Sequence, residues 1–171
     1  IYRQNGQLSQ AAGEYERVAS ESTDPNLRGE ALLVAGDLYE QSGSMAQALG
    51  AYTRYVEQFP RPIDTAVETR FKIAGMHQAA RDEPRYLQEL QQIVRIDAEA
   101  GAERTNRTRT VAARSALVLS EQLYRQFAEV QLRQPFEASL AEKKRLMDAA
   151  VEAFGQLVDY EIGDVTAAAT F

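Results

Sequence analysis

The chain has 171 residues, of which 44% are hydrophobic and 26% charged, values that are normal for a folded protein. Its formal net charge of −6 argues against a nucleic-acid-binding protein, which presents a broad basic surface. The sequence has no cysteine, which excludes disulfides and thiolate chemistry, and no apolar run approaches the roughly 20 residues that span a bilayer.

Residues 1–24 predict an incomplete helical hairpin. Their apolar and small residues repeat a spacing that recurs 37 positions later. The first set is Tyr2, Gly6, Ala11, Tyr15 and Val18, and the second is Tyr39, Gly43, Ala48, Tyr52 and Tyr55. By this match, residues 1–5 end one helix and residues 8–22 form its partner.

Residues 25–62 predict one complete hairpin, with helices over 25–42 and 44–59. Asp24 is placed to cap the first helix, and Pro25 suits its first turn because it has no amide hydrogen to leave unpaired. Gly43 can adopt the positive φ angle that ends a helix. Ser44-x2-Gln47 is the pattern of a capping box for the second helix.

The interior of this hairpin is predicted from its small and aromatic residues. Gly36 and Ala48 are small because two antiparallel helices in a tight hairpin approach closely. The expected apolar faces are formed by Leu32, Ala35 and Tyr39 on the first helix, with Tyr52 and Tyr55 facing back from the second. The run Phe59-Pro60-Arg61-Pro62 ends the hairpin, since proline cannot continue the helical hydrogen bonding.

Residues 63–101 predict a degenerate copy of the same unit. Phe71-x2-Ala74-Gly75 matches the first-helix pattern, but Gln78 stands where tyrosine is expected. The turn is placed at Asp82-Glu83-Pro84, and the second helix at about 84–98. The register of this second helix stays open.

Residues 102–160 predict a hairpin with extended arms. Leu119 and Ala150 lie 31 positions apart, against nine between Tyr39 and Ala48, and the difference of 22 adds about 11 residues to each arm. That is roughly 16 Å of helix per arm. The arms run over about 104–133 and 137–160, with Pro135 near the turn. Their apolar seams are Ala112, Ala116, Leu119, Leu123, Phe127 and Val130, and then Met147, Ala150, Phe154 and Leu157.

Residues 163–171 predict the start of a further helix, opened by Gly163-Asp164 and ending at Phe171 within an apolar, alanine-rich pattern. Because the chain also begins at Ile1 rather than at a methionine, we expect it to be a piece of a longer protein.

The pattern Leu32-x2-Ala35-Gly36-x2-Tyr39, followed by Ala48-x3-Tyr52-x7-Pro60, resembles the tetratricopeptide repeat (TPR). This resemblance covers most of the chain as a single repeat fragment, and it is most specific over 29–62. It implies an all-α, right-handed superhelical array of antiparallel helix hairpins. The spacing Gly43-x4-Ala48-x3-Tyr52 and the run 95–109 are similar to bacterial cell-envelope members of the family, which implies a periplasmic location.

The resemblance also implies a partner-binding groove on the inner face of the first helices. Its expected positions are Glu30, Leu33, Asp37, Glu40 and Gln41 in one repeat, and Thr69, Lys72, Met76, Ala79 and Ala80 in the next. The first set is acidic and departs from the basic clamp with which some TPR domains hold a terminal carboxylate. A basic or apolar extended segment is therefore the expected ligand.

Other polar residues are interpreted as structural. His77 is the only histidine and has no cysteine or second histidine to join it in a metal site. The arginines at 104, 107, 109 and 114 either pair with nearby acids, among them Asp97, or contact an anionic partner. Lys143-Lys144-Arg145 is typical of a solvated helix face, and no carboxylates pair into an acid/base site.

The sequence thus predicts a non-catalytic scaffold without cofactors that binds a partner protein or peptide. The contact is expected in the groove or on the long hairpin, whose tip carries Val130, Leu132, Phe136 and Leu140. The two arms either bury these four side chains against each other or leave some exposed as a contact surface. The alternative function is a structural module that associates with itself.

Overall fold

The computed structural model describes the backbone of residues 2–169 and the side chains of residues 6–169. The described residues form α-helices and short 3-10 turns and contain no strand, which confirms the predicted all-α class. The α-helices are α1 Tyr2–Glu21, α2 Pro25–Gln41, α3 Met45–Gln58, α4 Ile63–Ala79, α5 Glu83–Glu99, α6 Asn106–Glu129, α7 Phe136–Gln156 and α8 Gly163–Ala169.

The chain divides into two compact units, residues 1–89 and residues 90–171. The boundary falls inside α5. The first unit contains α1–α4 and the first turns of α5, and the second contains the rest of α5 and α6–α8.

Helix α1 corrects the first prediction, because it runs unbroken through Gly6 instead of turning there. A glycine inside a helix costs only about 1 kcal/mol, and no proline lies close after Gly6. The nearby Ser9 is an N-cap residue type, but its hydroxyl bonds to Ser42 and Ser44 instead of capping a new helix. Tyr15 and Val18 are 42% and 37% exposed, although their spacing matches the buried Tyr52 and Tyr55. Residue Phe171, expected in a further helix, lies outside the described residues.

Helices α2 and α3 form the predicted hairpin around a shared core. Asp24 caps α2 through its carboxylate, which accepts a hydrogen bond of 2.9 Å from the Asn26 amide, and Gly43 ends the turn with a φ of 79°. The expected apolar faces are buried together with residues of α1 and α4. This core contains Ala12, Ala19, Ala31, Leu32, Ala35, Tyr39, Ala48, Ala51, Tyr52, Tyr55, Val56 and Ile73.

The close approach within the hairpin occurs between Gly36 and the ring of Tyr52. A Cβ atom added at Gly36 would lie only 2.6 Å from Tyr52 Cδ1, a distance that real side chains do not tolerate. Tyr52 is itself fully buried, so its ring has little freedom to move away. Glycine at position 36 therefore sets where Tyr52 lies.

Two local predictions in the first unit are wrong. Ser44 makes no side-chain cap to α3, because its hydroxyl is engaged with Ser42 and Ser9, which join α1 to the α2–α3 turn. The second turn comes earlier than expected: α5 begins at Glu83, preceded by Arg81 at a φ of 59°. The Asp82 carboxylate accepts from the Arg85 amide at 3.3 Å, as an N-cap residue does.

The second unit contains the predicted extended hairpin, since α6 and α7 pack against each other with a connection around Pro135. The first arm, α6, ends at Glu129 instead of at about residue 133. A 3-10 turn over Leu157–Tyr160 replaces the end of the second arm. Along α7, Leu146 is buried, while the predicted seam residue Met147 is 42% exposed. Thr105 and Thr108 form a reciprocal capping box at the start of α6, which the sequence analysis missed.

Replacing Gly36 with alanine is expected to destabilise the protein. Overpacking against the Tyr52 ring costs about 1–3 kcal/mol, which outweighs the roughly 1 kcal/mol that alanine gains over glycine inside a helix. Gly50→Ala is the matched control, because a Cβ at this position of α3 would meet nothing within 4 Å. Urea denaturation should show opposite signs for the two substitutions, and a stabilised Gly36→Ala protein would contradict the packing described.

Candidate functional site

Three polar side chains of the predicted groove, those of Asp37, Glu40 and Lys72, lie around the hydroxyl group of Tyr52. This hydroxyl lies 2.5 Å from Asp37 Oδ1 and 3.0 Å from Glu40 Oε2. Lys72 Nζ of α4 donates to Asp37 Oδ1 at 2.6 Å and to the Tyr52 oxygen at 3.2 Å. We call these four residues the Tyr52 cluster, and its Asp37–Lys72 ion pair joins α2 to α4.

Burial and charge change the acidity of two members of this cluster. Burial, together with the carboxylates of Asp37 and Glu40, raises the pKa of Tyr52 far above its ordinary value, so the phenol stays protonated. Burial opposes ionisation of Asp37, but the hydrogen bonds from Lys72 and Tyr52 outweigh it and hold the Asp37 pKa below its ordinary value. At neutral pH Tyr52 is therefore a neutral phenol and Asp37 a carboxylate.

An apolar trough lies next to the Tyr52 cluster. It has a volume of about 660 Å³, within the range of pockets that hold small molecules or several side chains. We call it the α4 trough. Its apolar lining consists of Met45, Phe71, Gly75, Met76, Ala79 and Ala80, and Glu40 and Lys72 complete it.

A second, smaller depression lies on the N-terminal half of α2. Glu30 and Leu33 line it, together with Tyr55 and Phe59 of α3 and the Arg61-Pro62 segment. Its volume is about 390 Å³. The predicted groove thus consists of two concave regions, one that includes Glu30 and Leu33 and one that includes Glu40, Lys72 and Met76.

Three predicted groove residues line neither region, and one of them, Asp37, belongs to the Tyr52 cluster instead. Thr69 is only 3% exposed and its hydroxyl donates to the Thr65 carbonyl at 2.7 Å, so it is not available to a partner. The reason is that Thr69 lies within the buried stripe of α4 rather than on its outer face. Gln41 is exposed but lines neither depression.

The sequence analysis missed Phe71 and Met45 as trough residues. Phe71 matched a core position of the repeat, yet it is 48% exposed because Ile73, Ala74 and His77 occupy the buried face of α4. Met45 is 50% exposed at the first position of α3. Gln78, which stands where the repeat has a tyrosine, was the residue that indicated a departure from the pattern.

The tip of the α6–α7 hairpin exposes three of the four predicted contact residues. Leu132, Phe136 and Leu140 are 50%, 51% and 56% exposed, so the arms do not bury them. Val130 is half-buried, and its carbonyl accepts a hydrogen bond of 3.0 Å from Lys143 Nζ. The Lys143 ammonium also lies 4.8 Å from the Phe127 ring centroid, so this residue is not simply solvated.

An apolar face continues from the tip along the same hairpin. Tyr124, Met147 and Val151 are 54%, 42% and 68% exposed, and they line a shallow groove that ends at Ala168 and Ala169 of α8.

Three of the four arginines near the start of α6 pair with acids of the second unit, and one of them, Arg104, takes a predicted partner. Arg104 forms an ion pair of 2.7 Å with Asp97, which is buried and also accepts a hydrogen bond of 3.0 Å from the Thr108 hydroxyl. Arg109 and Arg114 lie 3.6 Å and 3.3 Å from Glu161 and Asp164. These contacts join α6 to α5 and to the segment around α8.

His77 is a buried side chain, 9% exposed, whose Nδ1 lies 4.0 Å from Asp82 Oδ2. Within the described residues, no three histidine or carboxylate side chains are grouped so that they could hold a metal ion. None of the helices described is long and apolar enough to cross a membrane.

Comparison of this chain with protein-family models, with curated proteins and with solved structures finds no match. The proposed function therefore rests on the geometry of the grooves and of the hairpin.

Replacing Lys72 with methionine is expected to lower stability at pH 7 by up to about 1 kcal/mol, because the pair is half-exposed. A depressed Asp37 pKa stabilises the fold above the ordinary value of 3.8, and this contribution is lost as the pH falls through the folded-state pKa. The loss of stability caused by Lys72→Met should therefore be smaller in acid, below about pH 4. Thermal melts between pH 3 and pH 7 measure the difference.

Arg17→Met is the control, because it removes a cation from a fully solvated pair with Glu14. If the Lys72→Met and Arg17→Met proteins show the same pH dependence, the Tyr52 cluster does not contribute as described.

Proposed function

We propose that this chain is a non-catalytic TPR-like scaffold whose first unit binds an extended segment of a partner protein. The segment lies between α2 and α4, with its apolar side chains in the α4 trough and its next contacts in the depression beside Glu30 and Leu33. The periplasmic location implied by the family resemblance stays a prediction.

The observation that carries this proposal is the α4 trough. Phe71 and Met45 expose about half of their surfaces there, beside Met76, Ala79 and Ala80. A concave apolar surface bordered by charged groups is typical of a site that takes up apolar side chains while polar contacts set their orientation. Helical repeats present such surfaces on a rigid framework, and the α2–α3 hairpin supplies that framework here.

The charges of the surface favour one class of partner over another. Glu30, Asp37 and Glu40 lie on one face of α2, and Lys72 is engaged by Asp37. A terminal carboxylate would meet like charges, in contrast to the basic clamp of some TPR domains. An internal, extended segment without a free carboxylate fits this surface better.

Selection from a displayed peptide library tests the proposal. Peptides enriched on the parent protein should bind Phe71→Glu protein at least about tenfold more weakly, a loss of about 1.4 kcal/mol, because the new carboxylate lies in the apolar trough. Leu27→Glu is the matched control, since Leu27 is 45% exposed on α2 and lines neither depression. Fluorescence anisotropy measures the affinities, and equal binding to parent and Phe71→Glu proteins would contradict the proposal.

A second candidate function, self-association through the long hairpin, is favoured by the exposure of Leu132, Phe136 and Leu140. Along α7, the exposed Phe136, Leu140, Met147 and Val151 recur at helical spacing, so they lie on one face of the helix rather than scattered over the surface.

Light scattering across a concentration series tests self-association. The parent protein should gain mass with concentration, and a variant carrying Leu132→Ser, Phe136→Ser and Leu140→Ser should remain monomeric because the apolar contact is lost. Leu27→Ser controls for loss of an exposed leucine elsewhere. A parent protein that stays monomeric throughout would rule out this candidate.

A further inference from the structure

Within the described residues, Asp37 is the carboxylate of the Tyr52 cluster that pairs with a cation. The phenol has a single proton and lies within hydrogen-bonding distance of carboxylate oxygens of both Asp37 and Glu40, which share it. The ammonium of Lys72 donates to Asp37, at 2.6 Å.

Glu40 is therefore the carboxylate of the cluster that has no cation beside it. It is exposed, and its carboxylate accepts from the Tyr52 hydroxyl at 3.0 Å. Among the described residues Glu40 forms no ion pair, and its side chain lines the α4 trough. Counting Asp37, Glu40 and Lys72, the cluster has one negative charge that is not neutralised.

We infer that the partner segment carries a lysine or arginine next to the apolar side chain that enters the α4 trough, and that this cation binds Glu40. The inference rests on the proposed function and specifies the chemistry of its ligand. The trough accepts the apolar side chain against Phe71, Met76 and Ala80, and the adjacent ammonium or guanidinium forms an ion pair with the Glu40 carboxylate. Charge complementarity therefore selects a basic-apolar pair over an acidic one.

The same geometry separates the role of Glu40 from that of Asp37. Asp37 is bound by a lysine and a phenol inside the protein, so it stabilises the fold. Glu40 is exposed and pairs with no cation among the described residues, so its charge contributes little to the stability of the free protein. Glu40→Gln should accordingly leave the melting temperature unchanged or raise it, while weakening the binding of a basic partner. A purely structural carboxylate would show the opposite pattern.

The test uses three acetylated and amidated hexapeptides, Gly-Ser-Phe-X-Gly-Ser, in which X is lysine, alanine or glutamate. Titrations followed by amide chemical shifts in the 171-residue protein measure each dissociation constant at low salt. The lysine peptide should bind about two- to fivefold tighter than the alanine peptide, as expected for one exposed ion pair, and the glutamate peptide should bind more weakly than both. The preference for the lysine peptide should decline at about 0.5 M salt, because salt at that concentration screens an exposed ion pair.

In Glu40→Gln protein the lysine and alanine peptides should bind equally. Glu57→Gln, an exposed carboxylate of α3 that lines neither depression, should keep the preference. A preference that survives in Glu40→Gln protein overturns the inference. Equal binding of all three peptides, with shifts at Gly75 and Met76, overturns it while leaving the proposed groove function standing. The absence of any shift at the trough overturns both.

Discussion

The packing of the Tyr52 ring over Gly36 is the constraint on which the first unit depends. The ring fills the space between α2 and α3 and requires a residue without a side chain beneath it. In that position the phenol reaches Asp37 and Glu40 of α2 and Lys72 of α4. One buried aromatic side chain thus links the apolar core of the hairpin to the polar groups on the surface of the candidate site.

Stability and binding make different demands on the two carboxylates of this surface. Asp37 has two donors within the protein, whereas Glu40 shares one phenolic proton with it and lines an apolar trough. Glu40 pairs with no cation among the described residues, so its charge is available to a partner. A charge placed in this way selects among partners more than it stabilises the free protein.

The sequence predicted the helices and the core of the first unit better than it predicted the surface. Leu32, Ala35, Tyr39 and Tyr52 are buried as their spacing indicated, because burial follows helical periodicity. Phe71 has matching spacing but is half-exposed, since exposure depends on which neighbouring helix covers a residue. Likewise, Gly6 matched Gly43 in spacing, yet α1 continues through it, and the hydroxyl of the nearby Ser9 bonds to the α2–α3 turn rather than capping a new helix.

The amino-acid sequence alone determined the all-α class, the α2–α3 hairpin with its Asp24 cap and Gly43 turn, and the long α6–α7 hairpin. These features depend on residues close in the chain, whose propensities and spacing are directly visible. Only the tertiary structure decided that Thr69 is buried, that Leu132, Phe136 and Leu140 are exposed, and that Lys72 binds Asp37 rather than Glu40. Those outcomes depend on contacts between residues far apart in the chain, since the distance between two side chains on different helices is set by how the helices pack.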